Sequence, residues 1–136
     1  MNIVEYPPIN FAAIKAVFPS AAEPGVLFCY GDTIHNPSGG FIPPQLIAHE
    51  EVHSKQQAVI GPVKWWDYYL ANPAWRFNEE LEAHIVEYHD FIKRQKSREL
   101  RRNYLDAIAR RLSGPLYGST STFGEARLLI ERGRKA

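Results

Sequence analysis

The sequence predicts one mostly helical α+β domain, with a small β-sheet or hairpin ahead of a helix that carries a metal-binding pattern. Three observations lead there. A chain of 136 residues that is 45% hydrophobic and 23% charged has the size and make-up of a single ordinary globule. In the second half, apolar residues recur at spacings of three and four, the period of helices that bury one side. In the first half, two short apolar runs are separated by Gly31-Asp32 and bounded by turn residues, as strands are. No repeat, low-complexity tract or linker divides the chain. It reads as one domain over 1–136, with an N-terminal helix and short strands (1–42), metal-site helices (43–96) and basic C-terminal helices (97–136).

Taken in order, Tyr6-Pro7-Pro8 is extended, and Asn10 caps a short helix with Phe11, Ile14, Val17 and Phe18 on one side until Pro19 stops it. The runs 26–30 and 33–35 are two short strands, forming a hairpin or a sheet edge before the turn-rich 36–40. Pro43-Pro44 opens the next helix, because proline is tolerated where backbone N–H groups lack partners. Leu46, Ile47 and Val52 supply its buried side, and Gly61-Pro62 ends it. A brief aromatic helix over 63–71 carries Trp65, Trp66, Tyr68 and Tyr69, read as core. After Asn72-Pro73 a long helix runs over 74–94, with Leu81, Ile85, Tyr88 and Ile92 inward. Leu100, Tyr104, Ile108 and Leu112 define another helix, ended by Ser113-Gly114-Pro115. Thr122-Phe123-Gly124-Glu125 is a capping box opening a last helix with Ala126, Leu129 and Ile130 inward, and a frayed tail follows from Arg132.

Composition narrows the chemistry. The single Cys29 excludes an internal disulfide and a cysteine-rich zinc site, so any metal must be held by histidine and carboxylate, and cytosolic residence is expected. The N-terminus has no basic region before an apolar run, and the best apolar run, 11–18, is short and holds Lys15; neither a signal peptide nor a membrane span is expected. Residues 1–92 hold 4 Lys/Arg against 11 Asp/Glu and residues 93–136 hold 12 against 4, an imbalance that marks an anionic partner or two halves that attract each other. The basic stretch 93–102, from Lys93 to Arg102, is the segment through which weak nucleic-acid contact is expected.

The stretch that organises the rest is His49-Glu50-Glu51-Val52-His53, an H-E-x-x-H on the second helix. Residues four apart stack on one helical face, so His49 and His53 can aim two imidazoles at one metal ion. Glu50, on the flank of that face, is placed to act as general base without being a ligand. A hydrolytic zinc site needs a third protein ligand, and 78–84 of the long helix offers Glu79, Glu80, Glu82 and His84. Glu80 and His84 share a face bordering the Leu81–Ile85 stripe, and Ala83 lets two helices approach closely. Glu80 is the preferred ligand, with Glu79 and Glu82 as alternatives, and His84 is assigned to orienting a ligand by a hydrogen bond or to a fourth ligand position. Tyr117, on a Gly-flanked loop, is the first candidate for stabilising an oxyanion, with His84, Tyr88 and His89 behind it.

His49-Glu50-x-x-His53 followed by Glu80-Leu81-Glu82-Ala83 resembles the gluzincin group of zinc metallopeptidases, at the length of its minimal members. The resemblance implies a zincin-like fold, a Zn2+ cofactor held by His49, His53 and Glu80, and peptide-bond hydrolysis of a peptide or protein substrate. Where that group has an Asp four residues after the glutamate, which braces a zinc-binding histidine, this chain has His84. Residues 31–39, the H-E-x-x-H helix and 113–118 also resemble small zincin-like proteins of tailed bacteriophages, which would imply the host cytoplasm or the virion as setting. Two further readings stand beside the peptidase: a nucleic-acid-binding protein with a structural or vestigial zinc site, and a phage scaffold used for protein contacts. The strand over 33–35 is expected to offer an edge on which an extended peptide could add.

Overall fold

The computed structural model describes residues 1–133. Its elements run β1 (Asn2–Val4), α1 (Phe11–Val17), a 3-10 turn (Pro19–Ala22), β2 (Phe28–Tyr30), β3 (Thr33–His35), α2 (Pro44–Ile60), α3 (Pro62–Ala71), α4 (Pro73–Arg94), α5 (Arg98–Leu112), a second 3-10 turn (Pro115–Tyr117) and α6 (Phe123–Arg132). The chain is a mostly helical α+β domain with one small sheet. The frayed tail expected from Arg132 does not begin there, since Arg132 is the last residue of α6 and Gly133 closes it with its N–H on the Ile130 carbonyl; the rest of that tail, residues 134–136, lies outside the described residues.

The sheet has three strands in the order β1-β3-β2, with β3 parallel to β1 and antiparallel to β2. The hairpin of β2 and β3 turns at Gly31, whose φ of 62° favours glycine. β1 was not foreseen, because three residues with an exposed, unalternating pattern give no period to detect. It has a consequence: β3 is the central strand, so the peptide-accepting edge expected there does not exist. The edge next to the helices is β2, and its Cys29 carbonyl already accepts from Gln57 Nε2 (2.9 Å) and Trp66 Nε1 (3.0 Å).

Two apolar clusters form. One joins α1, β2 and α3 through Ile14, Phe28, Trp65 and Trp66. The other joins α4, α5 and α6 through Leu81, Ile108, Leu112 and Ile130, each with essentially no solvent exposure; full burial of such side chains stabilises by about 1.5–3 kcal/mol each. The inward seam of α5 is Leu105, Ile108, Ala109 and Leu112 rather than the predicted Leu100, Tyr104, Ile108 and Leu112. Leu100 sits in the first turn of α5 and is half exposed. Helix ends follow their cap residues: Asn72, Ser97 and Thr122 each accept from the backbone N–H three residues on. Asn10 stands before α1 but makes no capping bond. Among the described residues no helix is long and apolar enough to cross a membrane.

The pairing that matters for the site is α2 against α4, the most extensive contact between two elements. Its chemistry is unusual for a helix interface. The buried side of α2 is Glu50, Val52, His53 and Gln57, and α4 faces it with Glu80, Ala83, His84 and Glu87. Leu46 and Ile47, predicted to be buried, are only partly so.

Candidate metal centre

Burying charged and polar side chains between two helices is costly unless each finds a partner. Here the partners form one connected network. His49 Nε2 and His53 Nε2 lie 3.1 Å apart. Glu80 Oε1 lies 3.1 Å from the first and 2.7 Å from the second. Three potential ligand atoms from two helices thus converge closely enough for one ion to touch all three. Ala83, with no exposure, lets the helices approach this closely.

The other side of each ring decides what these atoms carry. His49 Nδ1–H donates to Glu87 Oε1 (2.7 Å), a carboxylate that can only accept. Gln56 Nε2 donates to the Glu79 carbonyl (3.0 Å), which orients the amide so that Gln56 Oε1 accepts from His53 Nδ1–H (2.9 Å). Both neutral rings therefore keep their proton on Nδ1 and turn an Nε2 lone pair toward the other ring and toward a carboxylate oxygen. Three lone-pair atoms in contact repel one another unless a cation sits among them. Protons can serve: burial opposes a charged His49, but its bonds to Glu80 and Glu87 push its pKa well above the ordinary imidazole value. For His53 burial is likewise outweighed by the Glu80 charge. Glu80 in turn is held well below the usual carboxylate range by the two histidines, despite burial. A metal ion satisfies the same three atoms, so the donor set fits a divalent cation.

Glu80 Oε2 is held separately, accepting from Tyr69 Oη at 2.7 Å and, more weakly, from Tyr117 Oη at 3.4 Å. One carboxylate oxygen is thereby left for the cation. Burial drives both tyrosine pKa values up, so both hydroxyls keep their protons.

Glu50 is different. It is buried, and its Oε2 has no hydrogen-bond partner among the described residues. Burial raises its pKa above the usual carboxylate range. It opens onto a cleft of about 390 Å³ that is also lined by His49, His53, Glu80, His84 and Tyr117. A buried carboxylate oxygen beside a cluster of metal-competent atoms is placed where it could exchange a proton with a molecule in the cleft.

The predicted residues therefore divide. His49, Glu50, His53, Glu80, His84 and Tyr117 all face this cleft. Glu79 does not: its carboxylate accepts from Trp65 Nε1 (3.1 Å). Glu82, Tyr88 and His89 are outside the cleft lining; Tyr88 belongs to the α4–α6 core, and His89 Nδ1–H donates to the Ile85 carbonyl. His84 does not reach a ligand histidine by a hydrogen bond. Its Nδ1–H donates to Glu87 Oε1 (2.9 Å), its ring lies edge-on to His49, and burial keeps it neutral.

Glu87, Tyr69 and Gln56 were missed. Glu87, with 1% exposure, is the carboxylate that fixes His49, and Tyr104 Oη donates to its other oxygen (2.6 Å). The signal was present as spacing, since Glu80 and Glu87 are seven residues apart and so share a helix face two turns along. Tyr69, read as core, bonds Glu80; nothing in the sequence separates it from its aromatic neighbours. Two histidines and one glutamate, His49, His84 and Glu87, form a second group, but its carboxylate oxygen Glu87 Oε1 is already taken by two Nδ1–H donors.

No family model matches this chain, and neither a curated protein nor a solved structure matches it.

Proposed function

We propose that the chain is a zinc-dependent peptide hydrolase of the gluzincin type, with His49, His53 and Glu80 holding the ion and Glu50 moving the proton. The observation that carries the reading is the pairing of three convergent, cation-requiring ligand atoms with a buried carboxylate whose Oε2 has no partner. Two imidazoles and one carboxylate make a three-ligand set that leaves a coordination position open, which suits catalytic zinc. Zinc held there would supply Lewis acidity and lower the pKa of a water to about 7.

The chain's own residues then have distinct tasks. Glu50 accepts a proton at Oε2 as water attacks a peptide carbonyl, and delivers it to the departing amine. Its raised pKa favours holding that proton between the two transfers. Glu87 fixes the ring of His49 and Gln56 that of His53, so both lone pairs stay aimed inward. Tyr117 is the donor for the developing oxyanion: its 3.4 Å contact to Glu80 is weak and easily exchanged, whereas the 2.7 Å bond of Tyr69 is a firm commitment to the ligand.

The test is Glu50→Gln. We expect zinc content and fold to be kept while cleavage of a peptide library falls about a hundredfold to ten-thousandfold, the usual contribution of general-base assistance. Equal cleavage by both proteins, or silence from wild type with zinc fully bound, would favour a scaffold built on a zinc site.

A further inference from the structure

The cleft draws its lining from two parts of the fold that differ in character. From the N-terminal layer it receives Ile14, Phe18, Val26, Phe28 and Trp66, an apolar wall. From the C-terminal layer it receives Arg111, the single Lys or Arg among its lining residues, with Leu116 and Tyr117. The His49–His53–Glu80 cluster belongs to α2 and α4, the helices between these layers.

Arg111 lies in the last turn of α5 and is exposed. It makes no ion pair among the described residues, whereas Arg94 and Arg127 pair with Asp90 and Asp106. Its guanidinium is close enough to Tyr117 and Tyr104 for its charge to act on both hydroxyls. Arg111 is thus a cation without an acidic partner among the described residues, in a cleft whose other lining includes Glu50, Glu80 and Glu87 beside histidines, tyrosines and apolar side chains.

We propose that Arg111 anchors a carboxylate of the substrate, and that the wall across the metal centre takes a large apolar side chain, so that the preferred substrate is a peptide carrying both. This rests on the peptidase reading for its substrate class, but the anchor is a binding property of the cleft. Guanidinium and carboxylate meet through two parallel N–H···O bonds, which gives orientation as well as affinity. The carboxylate is either the chain terminus or an Asp or Glu side chain, and the two are separable.

The experiment uses the zinc-loaded Glu50→Gln protein, which binds without turnover, with and without Arg111→Gln. Two probe pairs are titrated by calorimetry: N-acetyl-Phe-Ala against its C-terminal amide, and N-acetyl-Phe-Glu-amide against N-acetyl-Phe-Gln-amide. We expect one pair to show about tenfold tighter binding of the carboxylate form, and that preference to vanish with Arg111→Gln while zinc content is unchanged. Preference in the first pair identifies a chain terminus, and in the second an acidic side chain. No preference in either pair overturns the proposal. So does a preference that survives Arg111→Gln, because the metal ion would then be taking the carboxylate. Absence of cleavage by the wild type would sink the hydrolase reading while leaving these binding outcomes readable.

Discussion

Glu87 shows how much of a site can rest on a residue that touches no reacting atom. It accepts from His49 Nδ1–H, His84 Nδ1–H and Tyr104 Oη, and the two histidines outweigh burial to hold its pKa far below the usual range. Glu87→Gln removes that charge and turns an N–H toward one of its donors. Zinc affinity should fall about tenfold to a hundredfold, as for other partners of ligand histidines, measured by competition with a chromophoric chelator. An unchanged affinity would show that His49 is held by packing alone. The histidines add a pH dependence with a definite sign. Their raised pKa values mean that protons compete with the ion for both rings. Apparent zinc affinity should therefore climb as pH rises through and above the ordinary imidazole value of about 6.5, by up to tenfold per pH unit for each proton displaced. A flat profile between pH 6 and pH 8, or one falling with pH, would contradict that competition.

At the level of elements, α2 is held to the sheet by a polar residue where an apolar one would be expected. Gln57 has no exposure; its Nε2 donates to the Cys29 carbonyl and its Oε1 accepts from the Gly31 N–H (2.6 Å). The amide thus ties the C-terminal half of α2 to the β2 edge and its turn. Gln57→Leu keeps the bulk but strands the Gly31 N–H, and a buried group left without its partner costs about 1–3 kcal/mol. Urea denaturation should report that loss with little change in slope, and a neutral result would mean that water replaces the amide. The α4–α5 junction carries the other element-level prediction. Lys93, Lys96, Arg98 and Arg102 are exposed, but Arg94 pairs with Asp90, and Arg101 donates to the Ile92 and Gln95 carbonyls. If the junction binds nucleic acid, about four phosphate contacts are available, and log affinity should fall with log salt at a slope no steeper than about 0.9 for each. No shift in DNA anisotropy at low salt would remove that reading.

Across the whole molecule, one apolar cluster lies in the N-terminal layer and the other among α4, α5 and α6, and α2 and α4 meet at the metal centre between them. An ion bound by both helices would therefore cross-link the halves. Zinc at a thousand times its dissociation constant should stabilise the fold by about 4 kcal/mol, which for a domain of this size raises the melting temperature by about 10 °C or more. The His49→Ala/His53→Ala double variant should show no such rise. A full shift in that variant would place the stabilising ion somewhere else.

The sequence by itself determined the fold class, the helices and the first half of the site. Proline and glycine at 43–44 and 61–62, the cap residues Asn72 and Thr122, and the spacing of four between His49 and His53 act through the local backbone, so they read the same in any context. What only the tertiary structure decided were relations between segments distant in the chain. β1 joined β3 and removed the edge expected at Thr33–His35; α5 turned so that Leu105 and not Leu100 faces inward; and Glu80 was separated from Glu79 by which side of α4 meets α2. Tyr69 and Glu87 gained their places in the same way. Periodicity names the face of a helix but not the neighbour that covers it, and the hydrogen bonds that fix the two histidines run to residues three and thirty-eight positions away. The near one follows from helix geometry; the far one exists because burying His49 without an acceptor for its Nδ1–H would cost more than bringing Glu87 to meet it.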